Sequence, residues 1–82
     1  MWHVYILLCS DNSLYTGYSN DPDKRFFGHQ NGKGGRYTRS RKPLKIIYTE
    51  KFETKPQALK REAEIKSWSR KKKIKMLNLN IT

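Results

Sequence analysis

Five side chains in this 82-residue chain are of types, and at spacings, that could carry chemistry. Tyr5 and Tyr15 are phenols in two apolar, strand-like runs. Arg25 and His29 are four residues apart, so in a helix they project from one face. Glu62 is a carboxylate on the apolar stripe of a second helix. A guanidinium stabilises charge on a phosphoryl group, a phenol or imidazole moves protons, and a carboxylate holds a hard cation. Each also has a plainer reading. Strand tyrosines commonly serve as amphipathic core residues, a lone helical histidine as a structural one, and an arginine as a solvated one.

The elements that must position these groups are legible in order. Residues 2–8 are β-branched, aromatic and aliphatic, which suits a strand. Ser10-Asp11-Asn12-Ser13 signals a turn, and Leu14 to Tyr18 reads as the returning strand of a hairpin. Loop length then decides which side chains share a face. A three-residue loop, with Asn12 left-handed, pairs Cys9 with Ser13, Leu7 with Tyr15 and Tyr5 with Gly17. Tyr5 and Tyr15 then share a face, and Gly17 leaves space opposite Tyr5. A two- or four-residue loop would separate the tyrosines.

Residues 21–31 read as a short helix. Asp21 suits the N-cap, Pro22 the first position and Asn31-Gly32 the stop, with Phe26 and Phe27 as expected core anchors. Residues 32–43 form a basic, glycine-rich stretch. Its glycines permit close approach to a phosphate, and Tyr37 among Arg36, Arg39, Arg41 and Lys42 can stack on a base. Leu44 to Phe52 is a third strand. A helix around 56–67 is capped by Thr54, at capping-box spacing from Gln57, or by Lys55, which Pro56 favours. Ser69 caps a last helix around 70–77.

In the 56–67 helix, Leu59, Glu62, Ala63 and Ile65 or Lys66 recur at helical spacing, while Glu64 faces away. An acid on a core-facing stripe must be paired or bind a metal. An arginine partner and a cation are both open readings.

Composition narrows the classes. One domain over residues 1–82 is expected at this length. Eighteen Lys+Arg against seven Asp+Glu give +11. Residues 1–32 hold two basic and three acidic side chains, and residues 33–82 hold sixteen and four. An acidic partner follows, nucleic acid first. The single cysteine, Cys9, excludes an internal disulfide and a Cys-based zinc site and fits a reducing cytosol. No apolar run approaches the ~20 residues of a membrane span, and no signal-like segment is read. The expected location is cytoplasmic. Phosphate-loop, paired-histidine and nucleophile-elbow templates are all missing.

The order of these motifs resembles the GIY-YIG nuclease superfamily. Val4-Tyr5-Ile6 followed by Tyr15-Thr16-Gly17 is similar to its two signature triplets, with His3 at the first glycine position and Thr16 for the middle isoleucine. Asn20-Asp21-Pro22-Asp23-Lys24-Arg25 with His29, the basic segment Gly32 to Arg39, and Ala58-Leu59-Lys60-Arg61-Glu62 continue the pattern over nearly the whole chain. It most resembles small stand-alone bacterial members.

The resemblance implies an α+β fold, a small three-stranded antiparallel sheet flanked by helices, and a magnesium- or manganese-dependent endonuclease acting on DNA with low sequence specificity. Tyr5, Tyr15, Arg25, His29 and Glu62 match its catalytic positions, Glu62 the single metal-binding carboxylate, and Gly17 the motif glycine. Tyr5 would take a proton from the attacking water, with its phenol drawn down by neighbouring cations. Tyr15 or His29 would position the water or relay the proton. A module of the same fold that binds nucleic acid without cleavage is the alternative reading. A basic RNA-associated structural protein is a third, supported by charge alone.

Overall fold

The computed structural model describes residues 1–30 and 42–79. The predicted contacts of Arg36, Tyr37, Arg39 and Arg41, and the Asn31-Gly32 stop, lie outside the described residues. Strands β1 (Trp2–Cys9) and β2 (Leu14–Ser19) lead to helix α1 (Pro22–Gln30). Strand β3 (Pro43–Phe52) and helices α2 (Lys55–Lys66) and α3 (Arg70–Leu77) follow. The three strands form an antiparallel sheet in the order β2-β1-β3. The fold is α+β, as the resemblance implied.

The hairpin adopts the register that places both tyrosines on one face. Tyr5 opposes Gly17 and Leu7 opposes Tyr15. Cys9 N–H donates to the Ser13 carbonyl at 2.9 Å, and Asn12 closes the three-residue loop at φ 68°. The central strand is covered on both sides, so Val4 to Cys9 are all buried. Even-numbered β1 residues (Val4, Ile6, Leu8) join Leu14, Ala58, Ile65 and Leu79 in the main core, under α2 and α3. Odd-numbered residues face α1.

Two expectations about the helices are corrected. Phe27 is exposed and Phe26 only half-buried, whereas His29 is 1% exposed. Phe26 and His29, three residues apart, turn to the sheet, and Phe27 lies about 100° round the helix. A buried imidazole is tolerated because the Tyr5 hydroxyl satisfies it. In α2 the buried stripe is Ala58 and Ile65, with Arg61 and Glu62 half-buried between them, while Leu59 and Ala63 are exposed. The stripe is thus rotated by one residue from the sequence reading. Glu62 stays on it, because 62 follows 58 by four residues. The cap is Thr54, with both capping-box hydrogen bonds formed to Gln57.

Thr16 is 2% exposed and accepts a hydrogen bond at 3.0 Å from Nζ of Lys73, itself buried. Burial and the charge of Lys66 push this ammonium below the ordinary lysine range. The hydroxyl where the signature has isoleucine is thus the acceptor for a cation on α3. Thr16→Val alone should cost about 1–3 kcal/mol, since Lys73 keeps its charge and loses this acceptor. Thr16→Val with Lys73→Met should recover most of that loss. Urea unfolding of the double-mutant cycle measures it, and additive costs would show that the two groups are not coupled.

Candidate nuclease site

Tyr5, Tyr15, Gly17, Arg25 and Glu62 line one cleft of about 330 Å³. Its size falls near the lower end of ligand pockets, roughly 300–1,000 Å³. The hairpin register supplies both tyrosines, whose ring centroids are 6.4 Å apart. Asp21 caps α1 by accepting from Lys24 N–H at 3.2 Å, which starts the helix one turn before Arg25. Helix α2 supplies Glu62.

His29 is not in the cleft wall. It stands behind Tyr5, with Nε2 3.1 Å from the phenol oxygen, and its ring meets Tyr15 edge-on with centroids 5.0 Å apart. Lys42 is exposed beside the hairpin loop, where its carbonyl accepts from Ser10 N–H at 2.7 Å. It takes no part in the cleft. Trp2, Tyr18, Ser19, Asn20 and Lys55 complete the lining, and the sequence reading placed none of them in the site. The hairpin register pairs two of them with each other, since Tyr18 opposes Val4 and Trp2 is its diagonal neighbour, but on the sheet face opposite Tyr5, Tyr15 and Gly17, so their place in the lining is set by tertiary structure.

Gly17, by lacking a side chain, makes room for the Tyr5 ring at the cleft wall. A Cβ there would lie 2.6 Å from the Tyr5 hydroxyl oxygen and 3.0 Å from the Tyr15 ring. The space opposite Tyr5 is therefore filled by the tip of the Tyr5 ring.

Burial, reinforced by Tyr15, pushes the Tyr5 phenol well above its usual range, while the Arg25 guanidinium pulls the other way and is outweighed. The expected downward pull is present, but desolvation dominates. Burial, then the charge of Arg25, holds His29 below the ordinary imidazole range. At neutral pH the favoured arrangement is a neutral phenol donating to a neutral imidazole.

This predicts a pH effect on stability. Below the ordinary histidine pKa of about 6.5, the unfolded chain takes up a proton that the folded chain refuses. Stability from His29 is complete above that pH and declines as pH falls toward the lower folded value. His29→Gln should flatten this part of the thermal-midpoint profile between pH 7.5 and 5. An unchanged profile would place the proton uptake elsewhere.

Arg61, the arginine next to Glu62 on α2, is engaged elsewhere. Nε of Arg61 donates to the two Glu50 oxygens at 3.1 and 3.2 Å, and Arg61 also pairs with Glu64. Glu62, 12% exposed at its side chain, lies 3.4 Å from Nζ of Lys66. Among the described residues no three His, Cys, Asp or Glu side chains cluster. One carboxylate in an open polar cleft still fits magnesium, which keeps several waters and commonly uses one or two protein carboxylates plus substrate phosphate.

Residues 1–75 match the GIY-YIG catalytic domain. The chain belongs to the GIY-YIG family. Its relatives include a UPF0213 protein of Staphylococcus saprophyticus, 51% identical over 76 residues and covering 93% of each chain. The solution structure of a UPF0213 protein from Bacillus halodurans superposes with a TM-score of 0.60 at 44% identity, over 95% of this chain and 84% of that one. A protein of E. faecalis gives 0.63 at 43%, over 93% and 81%. This family is one of nucleases, and nucleases of the GIY-YIG type generally use divalent cations. No helix among the described residues of this GIY-YIG domain is long and apolar enough to cross a membrane.

Proposed function

We propose that the protein is a divalent-metal-dependent endonuclease that hydrolyses phosphodiester bonds in DNA with low sequence specificity. The observation that carries this reading is the convergence of Tyr5, Tyr15, Arg25 and Glu62 on one cleft, with Tyr5 backed by His29. Glu62 would hold the cation, magnesium or manganese. When bound, the cation supplies charge neutralisation at the phosphate and leaving oxygen.

The chain's own groups do the rest. Arg25 stabilises the charge that builds on the non-bridging oxygens as water attacks phosphorus. The water gives its proton to the Tyr5 oxygen as Tyr5 passes its own proton to Nε2 of His29. The bond between phosphorus and the 3′ oxygen breaks, and that oxygen takes a proton from solvent. The relay needs no resting phenolate, which suits a buried phenol whose pKa is raised. Tyr15, beside Tyr5 and His29, orients the attacking water.

Backbone affinity comes from the basic residues after position 32, with Arg36, Tyr37, Arg39, Arg41 and Lys42 as the proposed substrate contacts. Such affinity should fall steeply with salt and weaken similarly across sequences when several of these arginines are removed.

The test is cleavage of labelled single-stranded, duplex and branched DNA, and RNA, in Mg²⁺, Mn²⁺ or EDTA. Cleavage in either metal, lost in EDTA, is expected. Folded protein that binds all of these but cuts none would instead establish the binding-module reading.

A further inference from the structure

The cleft has a second half that the phosphate chemistry does not use. Trp2 and Tyr18 form part of its wall, both half-buried. Their ring centroids are 6.1 Å apart and their planes inclined by 40°. Nζ of Lys55 stands 5.5 Å from the Trp2 ring centre and 6.0 Å from that of Tyr18. Ser19 and Asn20 follow directly in the chain and line the same wall. Two aromatic faces, one exposed cation and two hydrogen-bonding side chains thus adjoin the place where Arg25 and Glu62 would receive a phosphate.

We infer that Trp2, Tyr18 and Lys55 form a subsite for an unpaired nucleobase next to the phosphate that is cut. The inference rests on the nuclease reading of the cleft and names the part of the substrate that reading leaves open.

Stacking on an aromatic side chain is sequence-tolerant, because every base has a π-face. It is worth roughly 5- to 150-fold in affinity per base. An exposed cation over an aromatic ring is worth only about 2- to 5-fold. A base therefore outcompetes the Lys55 ammonium for the rings, and the freed ammonium is left beside the base's own phosphate. Asn20 and Ser19 can meet a base edge or sugar without selecting one base. A base held in a duplex keeps its faces stacked on its neighbours and cannot reach the rings. The subsite thus favours substrates with an unpaired nucleotide beside the cut.

Purely structural packing would also place Trp2 and Tyr18 against the core, which they touch. The two roles separate in binding. Tryptophan fluorescence of the intact protein and the anisotropy of end-labelled strands are followed in EDTA, so that nothing is cut. The probes are a ten-residue oligothymidylate, an abasic strand of equal length and charge, and a blunt duplex. Saturable quenching by the oligothymidylate is expected, with the abasic strand binding at least about 10-fold more weakly and leaving the fluorescence unchanged. Trp2→Leu, which keeps an apolar contact with the core, should erase this difference between strands while retaining affinity for the abasic one. Tyr18→Leu should reduce the difference; it serves alone if the Trp2 variant fails to fold.

Equal affinity for the two strands without quenching in the parent protein would overturn the inference, and the nuclease reading would stand. Base-dependent quenching in a protein that cuts nothing in Mg²⁺ or Mn²⁺ would do the reverse.

Discussion

Glu62→Gln should leave a folded protein that binds nucleic acid and cuts it about three orders of magnitude more slowly. The amide keeps the shape and much of the hydrogen bonding of the carboxylate but cannot hold a hard cation as well. Losing the stabilisation of phosphate and leaving group typically amounts to several kcal/mol of barrier, at 1.36 kcal/mol per decade. The folded state should lose little. Among the described residues the ion-pair partner of Glu62 is Lys66, half-exposed on the next turn, and such helical pairs contribute roughly 0.3–0.5 kcal/mol. If Glu62 instead balances a buried charge, the variant should unfold more easily and cut normally. Glu64→Gln is the control. Glu64 is 54% exposed at its side chain and shares Arg61 with Glu50, so its variant should cut at nearly the parental rate. Thermal midpoint, affinity in EDTA and Mg²⁺-dependent rate on both variants decide between the readings. A stable Glu62→Gln protein with parental rate removes the catalytic role.

Gly17→Ala should be nearly as damaging through a purely steric route. The added methyl would lie 2.6 Å from the Tyr5 oxygen and 2.8 Å from the ring carbon bearing it. Tyr5 has nowhere to retreat, being 1% exposed and tied to His29. Either the ring tilts or strand β2 shifts outward. Overpacking of this kind costs about 1–3 kcal/mol of stability. A displaced phenol no longer reaches Nε2 of His29, so the proton relay fails, and a loss of 10²-fold or more in turnover is expected, in line with the usual worth of acid–base catalysis. Tyr5→Phe separates the two effects. It removes the relay without overpacking, so it should lose similar activity with strand β2 in place, at a cost of about 1–3 kcal/mol for the hydroxyl that the buried His29 loses. A Gly17→Ala protein that retains parental turnover would show that the Tyr5–His29 contact is not used.

Local rules determined much of this protein. The turn chemistry of Ser10-Asp11-Asn12 fixes the hairpin register, and a period of two then decides that Tyr5 and Tyr15 share a face opposite Gly17. Capping signals at Asp21, Thr54 and Ser69 place the three helix starts, because a cap is an interaction among residues three apart. The acid at 62 was legible on the inward face for a similar reason.

What tertiary structure decided was phase and partnership. Helix α2 has few apolar residues, so its own pattern barely distinguishes Leu59 and Ala63 from Ala58 and Ile65. Packing against β1 and β2 made the choice. Helix α1 buries His29 rather than Phe27 because the Tyr5 hydroxyl, 24 positions away, satisfies the imidazole. The upward push on the Tyr5 phenol and the burial of Lys73 against Thr16 have the same origin. Each depends on desolvation by distant elements, and desolvation is set by what packs around a group, which no local spacing encodes.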